Sequence, residues 1–156
     1  MLEQRADFAM PTAPLPPVVP GNFPTFVKKS ALKRRVLVVD DEALVRWAVS
    51  EMLTAAGYEV LEARDGASAI RAVTDRRGAV DVILLDLRLP DSQDLRLLGA
   101  LVAMAPAAAI VLMTAYGTKE IKQEALRIGA CQIVSKPFDI LDVVPFVAAA
   151  LATRRV

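Results

Sequence analysis

The chain has 156 residues, 54% of them hydrophobic and 24% charged, with a net charge of +1, values that suit one globular domain with a real core and give no polyanion-binding signal. Histidine is absent, which excludes Ser-His-Asp triads, His general bases and His-ligated metals and leaves any chemistry to carboxylates, hydroxyls and lysine. A single cysteine, Cys131, excludes an internal disulfide and any CxxC site and sets a reducing cytoplasm as the expected compartment.

The first 26 residues carry six of the ten prolines without a helical or strand period. Residues 1–33 therefore read as an extended, polyproline-like arm and a basic linker, expected to be disordered. Glu3 and Asp7, with the prolines that break the apolar stretch, argue against a signal peptide. The arm is either a docking segment for a partner's groove or a plain extension from an early start site. Lys28, Lys29, Lys33, Arg34 and Arg35 lack interleaved aromatics and read as a solvated linker, not a nucleic-acid site.

From residue 34 to 156 short apolar runs alternate with helical patterns. VLVVD, YEVLEA, VDVILLD, AIVLMTA and CQIVS are five predicted strands, several of them continuously apolar, as strands buried on both faces must be. Between them Glu42 to Ala56 places Leu44, Val45, Ala48, Val49, Met52 and Leu53 on one helical face and stops at Gly57. Ala67 to Thr74, Leu95 to Ala103, Thr118 to Ile128 (closed by Gly129) and about Asp142 to Thr153 supply four more helices. Five successive βα units imply an α/β fold, a doubly wound parallel five-strand sheet with right-handed crossovers.

Ligands of such sheets bind beyond the carboxyl ends of the strands. That rim collects Asp40 and Asp41 after the first strand, Asp86 at the third, Thr114 at the fourth and Lys136 after the fifth. Singly, each has an ordinary reading as a helix cap, a turn residue, a strand edge or a surface lysine. Together they have a chemical one. Three close carboxylates need a cation, and an all-oxygen site with few protein ligands suits hydrated Mg²⁺. A metal so held can also hold a phosphoryl group, whose remaining oxygens need donors such as the Thr114 hydroxyl and the Lys136 ammonium. Asp86 is then the nucleophile, forming an acyl phosphate, and the repulsion between the paired aspartates is relieved when the metal binds.

VLVVDDE at 36–42, LLDLRLPD at 84–91, MTAYG at 113–117 and GACQIVSKPFD at 129–139 closely resemble the receiver domain of two-component response regulators, over about residues 34–153. The resemblance implies a flavodoxin-like fold with strand order 2-1-3-4-5. It implies Asp86 as phosphoacceptor, Asp40 and Asp41 as the acidic metal pair, the Arg88 backbone carbonyl as a further metal ligand, and Thr114 and Lys136 as switch hydroxyl and phosphate-pairing lysine. The phosphodonor would be a histidine kinase or histidine phosphotransfer protein. The function implied is that of a signalling phosphoacceptor, not a turnover enzyme, with only limited self-phosphorylation and self-dephosphorylation. Two positions depart from the pattern. The aromatic residue of the fifth strand is Ile133, which puts the usual aromatic–Thr coupling in question and leaves Tyr116 to take a share. The glycine after the phosphorylation loop is Asp94, expected to add a carboxylate near the acidic rim and to alter the loop's backbone angles.

A haloacid-dehalogenase-like phosphohydrolase with Asp86 as nucleophile is the alternative from another class. It requires a second aspartate two positions on, where Arg88 stands, and its motifs run in the opposite order. A flavin-binding flavodoxin would need a phosphate loop rich in Ser, Thr and Gly. A receiver-like scaffold that is not phosphorylated is the third reading. Only one helix follows Lys136, so the expected output is through a surface, without direct contact to nucleic acid or membrane. Trp47 is expected on the outward side of the first helix, facing the phosphodonor. VVPFVAAALA at 143–152 has no charged face, so the fourth helix, fifth strand and fifth helix are expected to form an association surface for a target protein or a second copy. Pro145 is expected to delay or kink that last helix.

Overall fold

Alternation inside each strand decides which helix covers which face. Within β1 (Arg35–Val39), Val36 and Val38 point to one side of the sheet and Leu37 and Val39 to the other, and all four are buried. The same split runs through β3 (Val82–Asp86) and β4 (Ala109–Thr114), in which every residue is buried. β2 (Glu59–Ala63) and β5 (Ala130–Ser135) complete a parallel sheet of order β2-β1-β3-β4-β5, as expected. The computed structural model describes residues 32–154, so the expected arm and linker over 1–33 lie outside it except for their last two residues.

On one face, α1 (Ala43–Ala55) and α5 (Val143–Thr153) bury Val49 and Leu53, and Val143, Val147 and Ala150, against Val36, Val38, Leu84 and Val111. On the other, α2 (Gly66–Asp75), α3 (Arg96–Met104) and α4 (Lys119–Ile128) bring Ala69 and Val73, Leu97, Leu98 and Leu101, and Ala125 onto Leu37, Val39, Ile83, Leu85 and Leu112. Each fully buried Val or Leu contributes about 1.5–3 kcal/mol, so the two layers are the main source of stability. The ends that face away from the site are closed by ions: Arg35 pairs with Glu59 at 3.0 Å, and Arg154 pairs with Asp81.

Two expectations need correction. Leu44, in the first turn of α1, does not join the buried stripe formed by Val49 and Leu53 but is 76% exposed. Pro145 neither delays nor kinks α5. A 3-10 turn at Ile140–Asp142, capped by the Asp139 carboxylate on the Leu141 amide at 2.9 Å, starts the helix at Val143, so the proline falls in the first turn, where no intrahelical N–H bond is needed. The outward face of α5 is made of Pro145, Ala148, Ala149, Ala152 and Thr153, with Val144, Phe146 and Leu151 partly buried at its sides.

Gly129 closes α4 with φ of +141°, and a Cβ there would lie 3.1 Å from Val102, so conformation and packing both select glycine.

Candidate functional site

The parallel order gathers the carboxyl ends of β1, β3, β4 and β5 at one rim. β1 delivers Asp40, whose amide bonds the Ala63 carbonyl at 3.1 Å and whose side chain is wholly buried. Its Oδ1 accepts from the Glu42 amide at 2.9 Å, turning the chain into α1 and leaving Asp41 exposed at the corner. β3 ends on Asp86, 7% exposed, with Oδ1 accepting from the Arg88 amide at 3.1 Å. β4 ends on Thr114, buried, its Oγ1 accepting from the Tyr116 amide at 3.2 Å. Lys136, just past β5, donates its amide to the Thr114 carbonyl at 2.9 Å.

The Lys136 ammonium is the hub. Its Nζ lies 2.7 Å from Asp40 Oδ2 and 3.1 Å from Asp86 Oδ2. Burial alone would lower its pKa, but the hydrogen bond and charge of Asp40, with those of Asp86, hold it above the ordinary lysine value. Asp86 is pushed up, first by burial and further by the Asp40 charge, against the opposing Arg88 amide and Lys136. The repulsion within the acidic group is thus already balanced in part by Lys136, without waiting for a metal. The expectation had given this lysine only to phosphoryl oxygens.

Asp40, Asp41 and Asp86 each offer a carboxylate oxygen, and these oxygens all lie within 4.8 Å of one another. Ligands around Mg²⁺ at about 2.1 Å stand about 3 to 4.2 Å apart, so an all-oxygen cluster of this size fits that ion after small adjustments.

Two expected participants are placed differently. Asp94 stays outside the acidic group: its carboxylate takes the Arg96 amide and Nε, both at 2.9 Å, at the start of α3. It needs no left-handed backbone, since Arg77 is the one non-glycine residue with positive φ among those described. Ile133 sits opposite Leu112 and packs into the α2–α4 layer, while Tyr116 is 74% exposed, its ring under the Arg88 guanidinium at 5.3 Å.

Two neighbours were not foreseen. Arg46 Nη1 donates to the Asp40 carbonyl at 2.7 Å, and Asp91 accepts from the Gly66 and Ala67 amides at 2.7 and 3.0 Å, tying the loop after Asp86 to the start of α2. Beside Lys136 a groove of about 660 Å³ is lined by Leu44, Val45, Ala48, Tyr116, Phe138 and Ile140. Trp47 stands outward on α1 at 58% exposure, as expected, not folded onto α5.

The model of the response regulator receiver domain matches residues 36–147. Transcriptional regulatory protein PdtaR of Mycobacterium tuberculosis is 32% identical over 133 residues, which cover 85% of this chain and 63% of that protein. The chain thus spans under two thirds of that relative. Sporulation initiation phosphotransferase F of Bacillus subtilis is 30% identical over 112 residues, 72% of this chain and 89% of that one. Among solved structures, the receiver domain of NtrX from Brucella abortus aligns at 33% identity and TM-score 0.67, covering 76% and 98% of the two chains. The non-phosphorylated HemR receiver domain from Leptospira biflexa aligns at 25% identity and TM-score 0.73, covering 80% and 98%. The chain belongs to the response regulator receiver domain family. It is accordingly a signalling receiver; such domains generally bind Mg²⁺ at an acidic pocket, and an acidic cluster of Asp40, Asp41 and Asp86 is present here.

Proposed function

We propose that this receiver accepts a phosphoryl group on Asp86 from a histidine of a partner protein, in a Mg²⁺-dependent reaction. The observation that carries the reading is Lys136 Nζ bridging Asp40 and Asp86 while the Asp41 carboxylate stands beside them within 4.8 Å. The three carboxylates and the Arg88 carbonyl would hold the metal, which when bound supplies charge neutralisation for the incoming phosphoryl group. Asp86 Oδ attacks phosphorus, the N–P bond of the phosphohistidine breaks, and the imidazole leaves with the electron pair and takes up a proton. Lys136 then pairs with a phosphoryl oxygen, and the Thr114 hydroxyl turns from its Tyr116 amide contact to donate to another. The donor histidine lies outside this sequence, which contains none. Self-phosphorylation and self-dephosphorylation are limited side reactions of the same site.

The exposed Trp47 and the apolar groove between α1 and the loops after β4 and β5 form the docking surface for the phosphodonor, a kinase or a phosphotransfer protein. Output passes through α4, β5 and α5 to a target protein or a second copy. α4 has one buried residue, Ala125, leaves Leu126 51% exposed, and is the α-helix with the fewest buried residues and the one nearest in sequence to Thr114.

Intact mass after incubation with acetyl phosphate tests the reading. Wild type with Mg²⁺ should gain one phosphoryl group, and wild type with EDTA or Asp86→Asn with Mg²⁺ should gain none. Uptake by Asp86→Asn at the wild-type level would reject the assignment, and rapid release of phosphate from varied phosphomonoesters would favour the phosphohydrolase instead.

A further inference from the structure

The corner that carries both acidic residues has little to hold it. α1 begins without a side-chain cap, since Glu42 makes no capping hydrogen bond, and its first turn contains no acidic residue. Asp41 is exposed, and among the described residues no hydrogen bond fixes its carboxylate, so the backbone of the corner is what places it. Two side chains grip that backbone: the Asp40 carboxylate accepts from the Glu42 amide at 2.9 Å, and Arg46 donates to the carbonyl between the two aspartates. Arg46 reaches back from α1 and donates Nη1 to the Asp40 carbonyl at 2.7 Å, the carbonyl of the peptide that joins the two aspartates. Its Nε faces the Glu62 carboxylate of β2 at 3.4 Å, and the side chain keeps only 20% of its exposure.

From this we infer that Arg46 is a positioning residue: by clamping the peptide between Asp40 and Asp41 it keeps the Asp41 carboxylate turned toward Asp86, and Glu62 both aims the guanidinium and cancels its charge beside the metal seat. This rests on the Mg²⁺ reading above. The sign of the effect separates positioning from simple charge. Arg46 is a cation close to a site for a dication, so its removal should tighten Mg²⁺ binding if Coulomb repulsion were all that counted. If the clamp matters, its removal must weaken binding, since groups that hold metal ligands in place typically account for about 10- to 100-fold in affinity. Lysine at this position keeps a donor for the carbonyl but lacks the rigid fork that assigns Nη1 to the carbonyl and Nε to the carboxylate, so it should fall between the two.

The experiment is calorimetric titration of the purified full chain with Mg²⁺ alone, with thermal unfolding in EDTA run in parallel. Arg46→Gln should bind Mg²⁺ about tenfold more weakly or worse, with a metal-free unfolding midpoint close to wild type, and Arg46→Lys should recover part of the loss. Equal or tighter binding by Arg46→Gln overturns the inference. If that variant does not fold, Arg46→Lys carries the test, and wild-type affinity there overturns it. A wild type that binds no Mg²⁺ and gains no phosphate mass overturns the functional reading itself, and this inference with it. A wild type that is phosphorylated normally beside an Arg46→Gln variant of unchanged affinity removes the clamp alone.

Discussion

Lys136 and Asp86 put opposite demands on the stability of the metal-free protein. The ammonium is 14% exposed and neutralises Asp40, which has no solvent contact at all. Its replacement in Lys136→Met leaves two buried carboxylates facing each other, and the expected loss is about 3 kcal/mol, the low end of what breaking a buried pair costs, because some solvent reaches the site. Asp86→Asn should act the other way. Because burial holds the Asp86 carboxyl above its ordinary 3.8, the ionised group costs stability at neutral pH. The folded chain keeps that proton to higher pH than the unfolded one. The penalty therefore grows as pH rises from 3.8 through the folded value and vanishes below 3.8, and the variant's gain should follow the same course. Thermal unfolding in EDTA between pH 3.5 and 7.5 checks both variants, and a destabilised Asp86→Asn would contradict the balance described. At this scale the sequence was informative where function and strand ends coincide. Asp40, Asp41, Asp86, Thr114 and Lys136 announce themselves by standing at the ends of apolar runs. Arg46 and Asp91 do not, because their partners are main-chain atoms and side chains supplied by folding, and Asp91 meets Gly66 across 25 residues.

Helices α2 and α4 show how differently two elements of similar length can be held. The first amides of α2 are all accounted for: Asp91 takes those of Gly66 and Ala67, and Asp65 takes that of Ser68 at 2.7 Å while the Ser68 hydroxyl accepts from the Asp65 amide at 3.2 Å. The Ser68 hydroxyl and then its amide hold the Asp65 carboxyl below the ordinary 3.8. A depressed value in the folded state means stabilisation that is present above 3.8 and lost as pH falls through the folded value. Asp65→Ala should accordingly lower the unfolding midpoint at pH 7, and the difference from wild type should shrink below pH 3.5; a pH-independent difference would show that charge is not involved. α4 has an N-cap, Thr118, but one fully buried residue, Ala125, flanked by the partly buried Ile121 and Ile128. Helical period and strand alternation placed every strand and α-helix to within two residues, since each has one face or two that must be buried, but not the 3-10 turn at Ile140–Asp142. The period could not say that α5 would turn Val143, Val147 and Ala150 inward and leave mainly Ala and Pro exposed, because VVPFVAAALA is apolar all round and its facing depends on the sheet.

For the molecule as a whole, burial is concentrated in the middle of the sheet and charge at its margins. β1, β3 and β4 are covered above and below, whereas edge strand β2 carries Glu59 and Glu62 and edge strand β5 carries Gln132 and a terminal Ser135. Those polar edges are what discourages a stranger's strand from adding on. The strand order also has a consequence for biosynthesis. β2 adds beside β1, and β3, β4 and β5 then add one after another on the other side, so a nascent chain can extend its sheet in the order of translation without undoing a pair. Until β5 arrives, however, the growing edge is β4, AIVLMT, uncharged and apolar but for its last residue. A chain stopped after Gly129 would keep that edge permanently open. Such a fragment is expected to pellet on centrifugation and to bind an amyloid dye at concentrations where the full chain remains in the supernatant. The last strand, which contributes so little to the core, would then be the cap that keeps a ribosome's unfinished work from sticking to its neighbours.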